Sequence, residues 1–372
     1  MTSQGKFKRA VRRSAQESGK RYTEARSAME KRKEVFPIFA RSVELAPLKV
    51  HLEDRYGVRI RSMAPIVASG MTYSGTLRVD HDGGLPWIAR VFSSPADTLS
   101  RLEGDAEILR FLARCDFPAE RLAHDEPVSV MDGSGVIVTE CVEGGRTIDN
   151  PANNVPSTWH ELASLLGRLH ALPPAGGAVA RDGGSFTHAG PQHDGVLYDG
   201  RPGRCLEAAM STLVSVEDSV SPDGREKFEW LRDQVENADD AEGLPQALTH
   251  GNYNGWVAVG RPGSLVLVGW AGAGHGPRLA SLAWLLLTGA HSAEATDFID
   301  AIVGGYSQHI RLTAEELARL ARVIEMVPLS MACLAYRRSV LSGYMPNGGE
   351  GWWPNPERAE QLAAKAVAAF RN

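Results

Sequence analysis

Apolar residues follow three regimes along the chain. Over residues 5–34 they are sparse: Phe7, Val11 and Ala15 line one narrow stripe, and Tyr22, Ala25 and Met29 another. The spacing predicts two short helices broken near Gly19, too thinly apolar to hold a core of their own. From Val58 to Phe92 the pattern becomes that of strands. Thr76–Asp80 and Trp87–Phe92 flank Asp82-Gly83-Gly84, a turn sequence that predicts a hairpin. Gly70-Met-Thr-Tyr-Ser-Gly75 reads as a glycine-containing turn before them. Asp105–Arg114, with Ile108, Leu109 and Leu112 on one face, predicts an amphipathic helix, and Gly135–Val142 a further apolar strand. Together these make a small α+β lobe.

The third regime is mainly helical. Thr158-Trp-His-Glu161 has the form of a capping box, opening a helix with Leu162, Leu165, Leu166 and Leu169 on one face. Residues 173–203 carry eight Gly and four Pro and read as a long loop. Phe228–Val235 is helical in pattern, and Leu265–Trp270 is a strand-like run. Helices are predicted at about 279–289, 294–309, 313–342 and 356–370. The third opens on a second capping box, Thr313 to Glu316, and contains Pro328, which should kink it. The fourth opens on Asn355-Pro356, an N-cap followed by proline at the first helical position.

Composition narrows the classes. With 372 residues there is room for two lobes; 43% hydrophobic and 23% charged residues are ordinary for a soluble globular protein. The net charge of −5 hides an asymmetry. Residues 1–33 hold eleven Lys/Arg against Glu17, Glu24 and Glu30, a net +8 that leaves −13 on the remainder. Such an arm is either a solvated extension or a weak electrostatic contact for nucleic acid or an acidic protein. Cys115, Cys141, Cys205 and Cys333 are scattered, without zinc or disulfide spacing. The longest nearly apolar run, Leu279–Ala290, is too short to span a bilayer, so no membrane partner is expected. A signal-peptide pattern is not seen, and a cytoplasmic location is the expectation.

The candidate chemistry lies late in the chain. Leu248-Thr-His250-Gly251-Asn252-Tyr-Asn254-Gly-Trp256-Val is followed by Leu267-Val-Gly269-Trp270-Ala271. This series resembles the aminoglycoside phosphotransferase (phosphotransferase enzyme) family, whose catalytic loop reads His-Gly-Asp-x-x-x-x-Asn and whose metal strand reads Asp-Trp-Glu. The resemblance runs from about Val58 to the C-terminus. It takes in the Ala-Arg90-Val-Phe strand, the Glu-Gly-Asp-Ala-Glu107-Ile-Leu helix, the Val-Thr-Glu140-Cys-Val142 hinge, and Leu-Gly-Arg-Leu-His170. It implies a bilobal protein-kinase-like fold of the α+β class. A small antiparallel-sheet lobe with one helix (58–145) would join a larger, mainly helical lobe (146–372), behind a basic helical extension (1–57). It also implies ATP as cofactor, with adenine against the backbone near Glu140 and Val142, and Arg90 pairing with Glu107 and a phosphate. The ancestral reaction would be transfer of a phosphoryl group to a hydroxyl of a small molecule.

Phosphoryl transfer needs a carboxylate to orient the attacking hydroxyl, and anionic oxygens to hold Mg²⁺ on the phosphates. The sequence departs from the family at each of these places. Beside His250, the base position is Asn252, an amide with no basic lone pair. The metal Asn aligns with Trp256, whose indole is a donor only. The metal Asp position is Gly269, and the acid after it is Ala271. From Gly243 to Ala293 there is no Asp or Glu at all. Mg²⁺ is therefore not expected. Three readings stay open: the loop survives as a folding element, with Asn252 and Asn254 bonding turns; the cleft binds a nucleotide or another small molecule without turnover, as a pseudokinase; or carboxylates from elsewhere sustain a working kinase. His188, His193, Asp182 and Asp194 in the Gly/Pro loop lack metal-site spacing. Trp352-Trp353-Pro354 reads as packing, and Ser281 shows no nucleophile pattern.

Overall fold

The computed structural model describes residues 45–68, 71–92, 98–145, 147–149, 151–173, 181–183, 202–292, 297–342 and 354–371. The basic arm, Gly70, His188, His193, Asp194, Trp352 and Trp353 lie outside the described residues.

An antiparallel five-stranded sheet opens the fold: β1 (Ile60–Ala68), β2 (Met71–His81), β3 (Trp87–Phe92), β4 (Val128–Met131) and β5 (Ser134–Glu140), in the order β1-β2-β3-β5-β4. Alternation along β3 and β5 decides what each face meets. Trp87, Ala89, Val91, Val136 and Val138 join one buried cluster with Leu48 and Leu52 of helix α1 (Leu45–Tyr56). Phe92 and Ile137 point the other way, onto Leu102 and Ala106 of helix α2 (Thr98–Arg114). Arg90 pairs with Ile137 across the ladder and shares the parity of Phe92, so it faces α2. Helix α1 falls within the stretch that the sequence assigns to the extension, yet its two leucines complete the core of the sheet.

The second part is helical: α3 (Pro156–His170), α4 (Pro202–Val214), α5 (Pro222–Glu236), α6 (Arg278–Ser292), α7 (Asp297–Ser307), α8 (Ala314–Ser342) and α9 (Pro356–Arg371). Two small ladders interrupt it. β6 (Gln246–Thr249) pairs with β9 (Gly274–Pro277), and β7 (Ala258–Val259) pairs with β8 (Val266–Leu267). One large apolar cluster unites this part, with Trp159, Trp270, Tyr253, Tyr306 and Phe228 fully enclosed. Helices α3 and α7 touch backbone to backbone, because Gly305 lies where a Cβ would stand 2.1 Å from His160 O.

Two of the predicted helix starts hold and one does not. Thr313 N–H donates to Glu316 Oε2 at 2.8 Å while Glu316 N–H donates to Thr313 Oγ1 at 3.1 Å, a reciprocal capping box. Asn355 Oδ1 accepts from Arg358 N–H at 3.0 Å and starts α9. The Thr158–Glu161 box is corrected. Proline at the first position begins α3 earlier, at Pro156, so Thr158 already lies inside the helix, with its hydroxyl buried and unpartnered. Glu161 instead accepts from Gly263 N–H at 2.6 Å and Leu265 N–H at 3.2 Å, holding the turn between β7 and β8. Pro328 sits inside the 29-residue α8, which runs through it as one element. Among the described residues, no helix is long and apolar enough to cross a membrane.

Candidate functional site

The loop after β6 is built around a neutral histidine. His250 is buried, and its Nε2–H donates to Val268 O at 3.2 Å, because a carbonyl can only accept. That fixes Nδ1 as the acceptor of Asn252 N–H, also at 3.2 Å. Burial holds the imidazole down to about 4, and its ring lies edge-on to Trp270 with centroids 4.7 Å apart. His250 thus ties the loop to the segment after β8.

Asn252 is half-buried, and its Oδ1 is fully engaged. It accepts from Asn254 Nδ2 at 2.8 Å and from the Trp284 indole N–H of α6 at 3.1 Å. The indole is donor only, so the atom facing it must be the amide oxygen. Asn254 in turn caps the short 3₁₀ helix Gly255–Val257, its Oδ1 accepting from Trp256 N–H at 2.8 Å. At the positions the resemblance would assign to a base and a metal ligand, this chain has an amide whose oxygen is held by two of its neighbours and a half-buried indole.

The segment after β8 carries no acid either. Gly269 adopts φ +81°, and a Cβ built there meets no atom within 4 Å, so the position is open as well as bare. Ala271 packs against the apolar group of Phe92, Leu102, Ala106 and Ile137. The nearest charges come from outside the motif. Glu120, its side chain 1% exposed, accepts from Arg90 Nη2 at 2.8 Å, from the Thr139 hydroxyl at 2.8 Å and from Gly269 N–H at 2.7 Å. Backbone bonds hold this carboxylate in place: Glu120 N–H donates to Leu267 O and Leu267 N–H to Pro118 O, each at 2.9 Å. A second pair lies close by. Asp105 of α2 binds Arg181, whose guanidinium also donates to Ala273 O at 2.8 Å and to Arg101 O at 2.7 Å. Burial pushes the Asp105 carboxyl up to about 6, against the pull of Arg181, the Gly272 N–H and Arg90.

Glu107, expected beside Arg90, is instead paired with Arg110 on its own helix. Residues two apart lie on different faces of a helix, and the buried face here belongs to Asp105. Arg90 therefore finds its carboxylate in Glu120. Glu140 and Val142 lie where β5 leaves the sheet. Glu140 N–H donates to Arg121 O at 2.8 Å, and the intervening Cys141 N–H to Pro86 O at 2.7 Å. Asp182 bridges to His275, which adds residues 181–183 to the edge of β9. Among the described residues, no three His, Cys, Asp or Glu side chains converge as metal ligands.

Glu120, Asp105, Arg181 and Trp284 carry much of this geometry, and sequence reasoning missed all four. Asp105 alone had a signal, since it precedes Ala106 and Leu109 on the apolar side of α2.

Comparison with solved structures gives the fold a context. The chain is similar to spectinomycin phosphotransferase APH(9)-Ia in complex with ADP and spectinomycin (12% identity, TM-score 0.58, covering 88% of this chain and 98% of that one). It is also similar to the amicoumacin kinase hAmiN in complex with AMP-PNP, Ca²⁺ and Ami (11%, 0.57, 91% and 96%). A third is choline kinase LicA from Streptococcus pneumoniae (13%, 0.55, 86% and 98%). At these identities the likeness is one of fold. No curated protein matches the chain. Residues 67–321 match the sequence model of the phosphotransferase enzyme family, from β1 through the His250 loop and the Gly269 segment into α8, and the chain belongs to that family.

Proposed function

We propose that this chain is a pseudokinase: a family member that has lost phosphoryl transfer and keeps the junction between its lobes, 58–145 and 146–372, as a site for a nucleotide or another small molecule. The observation that carries the reading is the fate of the carboxylates. The base and metal positions hold Asn252, Trp256, Gly269 and Ala271. The two buried acids nearest to them, Glu120 and Asp105, are already bound to Arg90 and Arg181. Neither can take up a metal without stripping an arginine of its partner, so rescue by carboxylates from elsewhere is disfavoured. Losing a general base alone costs about 10²–10⁴ in rate, and losing the metal acids adds to that. The bound nucleotides of the solved relatives support retention of a ligand site.

The test is transfer of labelled γ-phosphate from ATP to a panel of amino-sugar and amino-alcohol acceptors, with ATP hydrolysis followed in parallel. No turnover above background is expected. Turnover with a defined acceptor that disappears in Asn252→Ala would overturn the reading. The net +8 of residues 1–33 supports a second, separate activity: weak binding to nucleic acid without sequence preference, falling steeply with salt. Titration of labelled duplex DNA and RNA by the full chain and by a chain starting at Val35 tests it. Equal binding by the two chains would leave the arm without that role.

A further inference from the structure

Away from the His250 loop, α5, residues 237–239, α8 and Pro354 enclose a cleft of about 340 Å³, within the size range of small-molecule sites. His250, Asn252, Trp256 and Gly269 take no part in its lining. Met326 and Val327 of α8 border a separate void with His250 and Trp284, so α8 stands between that loop and the cleft. On the cleft side, Glu325 Oε1 is enclosed, and no described residue bonds it. Burial raises the Glu325 carboxyl above its ordinary value, and the like charge of Glu360 on α9 adds to this. Asp239 also belongs to the wall, but Arg319 holds both of its oxygens, at 2.6 and 3.0 Å. Among the described residues Arg322 makes no hydrogen bond or ion pair, and it acts on Asp239 only through space.

Glu325 and Arg322 lie three residues apart on α8, a spacing that makes side chains neighbours, yet they do not pair with each other. One carboxylate and one guanidinium are thus left side by side, each open to the opposite charge. With Asp239 neutralised by Arg319, these two charges sum to zero. A ligand that carries both signs on adjacent groups meets both of them. The Gln234 and Asn237 side chains add polar groups from the α5 side, whereas Ala238, Leu329 and Pro354 form an apolar wall. We propose that this cleft binds a free α-amino acid with an aliphatic side chain. Its ammonium would sit on Glu325, its carboxylate on Arg322 and its side chain against Leu329 and Pro354. A bare amine leaves Arg322 unused, and a bare acid faces the like charges of Glu325 and Glu360. This site is independent of the junction between the lobes and of whether a nucleotide binds there.

Ligand-observed NMR titration of the full chain with L-leucine, isopentylamine and N-acetyl-L-leucine tests the proposal. The amine lacks the carboxylate, and the acetylated compound lacks the ammonium charge. L-Leucine should bind at least about tenfold more tightly than either. Glu325→Gln removes one charge at nearly constant shape. It should weaken L-leucine about tenfold, the worth of one charge-assisted hydrogen bond, and leave N-acetyl-L-leucine within about threefold. Arg322→Gln should weaken L-leucine by a similar factor and leave isopentylamine within about threefold. Circular dichroism establishes that the variants are folded; should either fail to fold, the order of the three ligands on the unaltered chain decides. Either analogue binding as tightly as L-leucine overturns the pairing of two charges. Folded variants that bind L-leucine unchanged overturn the roles of Glu325 and Arg322. If L-leucine does not bind at about 10 mM, the proposal falls.

Discussion

Replacing Glu120 by alanine removes the acceptor for three donors at once: Arg90 Nη2, Thr139 Oγ1 and Gly269 N–H. Arg90, whose side chain is 15% exposed, would keep only its 3.2 Å bond to the Thr139 hydroxyl. Breaking a buried pair by deleting one partner costs about 3–5 kcal/mol, because the charge left behind has no counter-ion. The Thr139 and Gly269 donors lose their acceptor in the same event, so their penalties overlap with this one rather than adding to it. Unfolding entropy of about 2.1 cal/mol/K per residue makes 1 kcal/mol equivalent to about 1.3 °C in a chain of this length, so the melting temperature should fall by about 4–6 °C. Replacing both partners, as Arg90→Met with Glu120→Leu, should recover most of that loss, since apolar substitution of a buried pair is often neutral. Urea melts of the two single variants, the double variant and the parent at pH 7 give the coupling energy. A Glu120→Ala cost below about 1 kcal/mol, or additive single effects, would mean that the pair is solvated in solution rather than buried as described.

Thr158→Ala should be neutral to within about 0.5 kcal/mol, because its hydroxyl has no partner, whereas a true cap would cost about 1 kcal/mol. Glu161→Ala should cost about 1–2 kcal/mol and speed amide exchange at Gly263 and Leu265; unchanged exchange at both would refute the assignment. His170 and His250 are held by burial down to about 3 and about 4, against 6.5 when unperturbed, so the stability gained from keeping them neutral is lost as pH falls below 6.5. Asp105, raised to about 6, acts in the opposite sense and offsets part of the loss. From pH 7 to pH 5 the net loss should be about 2–3 kcal/mol, deepening in Asp105→Asn; a urea midpoint that rises toward pH 5 would contradict this. Asn252→Asp combined with Gly269→Asp places two carboxylates where an open glycine and an amide now stand, at a backbone cost of about 1 kcal/mol for the positive φ. That chain should gain a Mg²⁺-dependent increase in ATP affinity of at least about tenfold; affinity indifferent to Mg²⁺ would show that more than these two positions has been lost.

What could be read from the sequence followed from how local its cause was. The β2–β3 hairpin, the Thr313–Glu316 box and the Asn355 cap rest on residues a few positions apart, and each was legible. Helices α1 and α4 were not. The first buries only Leu48 and Leu52, and the second opens on Pro202-Gly203, which reads as the end of a loop although proline suits a first helical turn. The false box at Thr158 arose because Pro156 had already started the helix. At the site, the missing acids were plain from composition, since an absence needs no folding to be seen. Their structural replacements were not, because Glu120 meets Arg90 across 30 positions and Gly269 across 149. Choosing Asp105 over Glu107 likewise depends on the rotational phase of α2, which only its neighbours set.

The backbone bridge between Ala119 and Leu267 has a mechanical consequence. Two hydrogen bonds run across it, Glu120 N–H to Leu267 O and Leu267 N–H to Pro118 O, and the Gly269 N–H bond to the Glu120 carboxylate adds a third link between the same two segments. Swinging the sheet away from the helices would require breaking these links together, whereas a small twist about the bridge would leave them intact. These links exist without a ligand, so a small molecule bound at the junction would not have to spend contact energy on forming them.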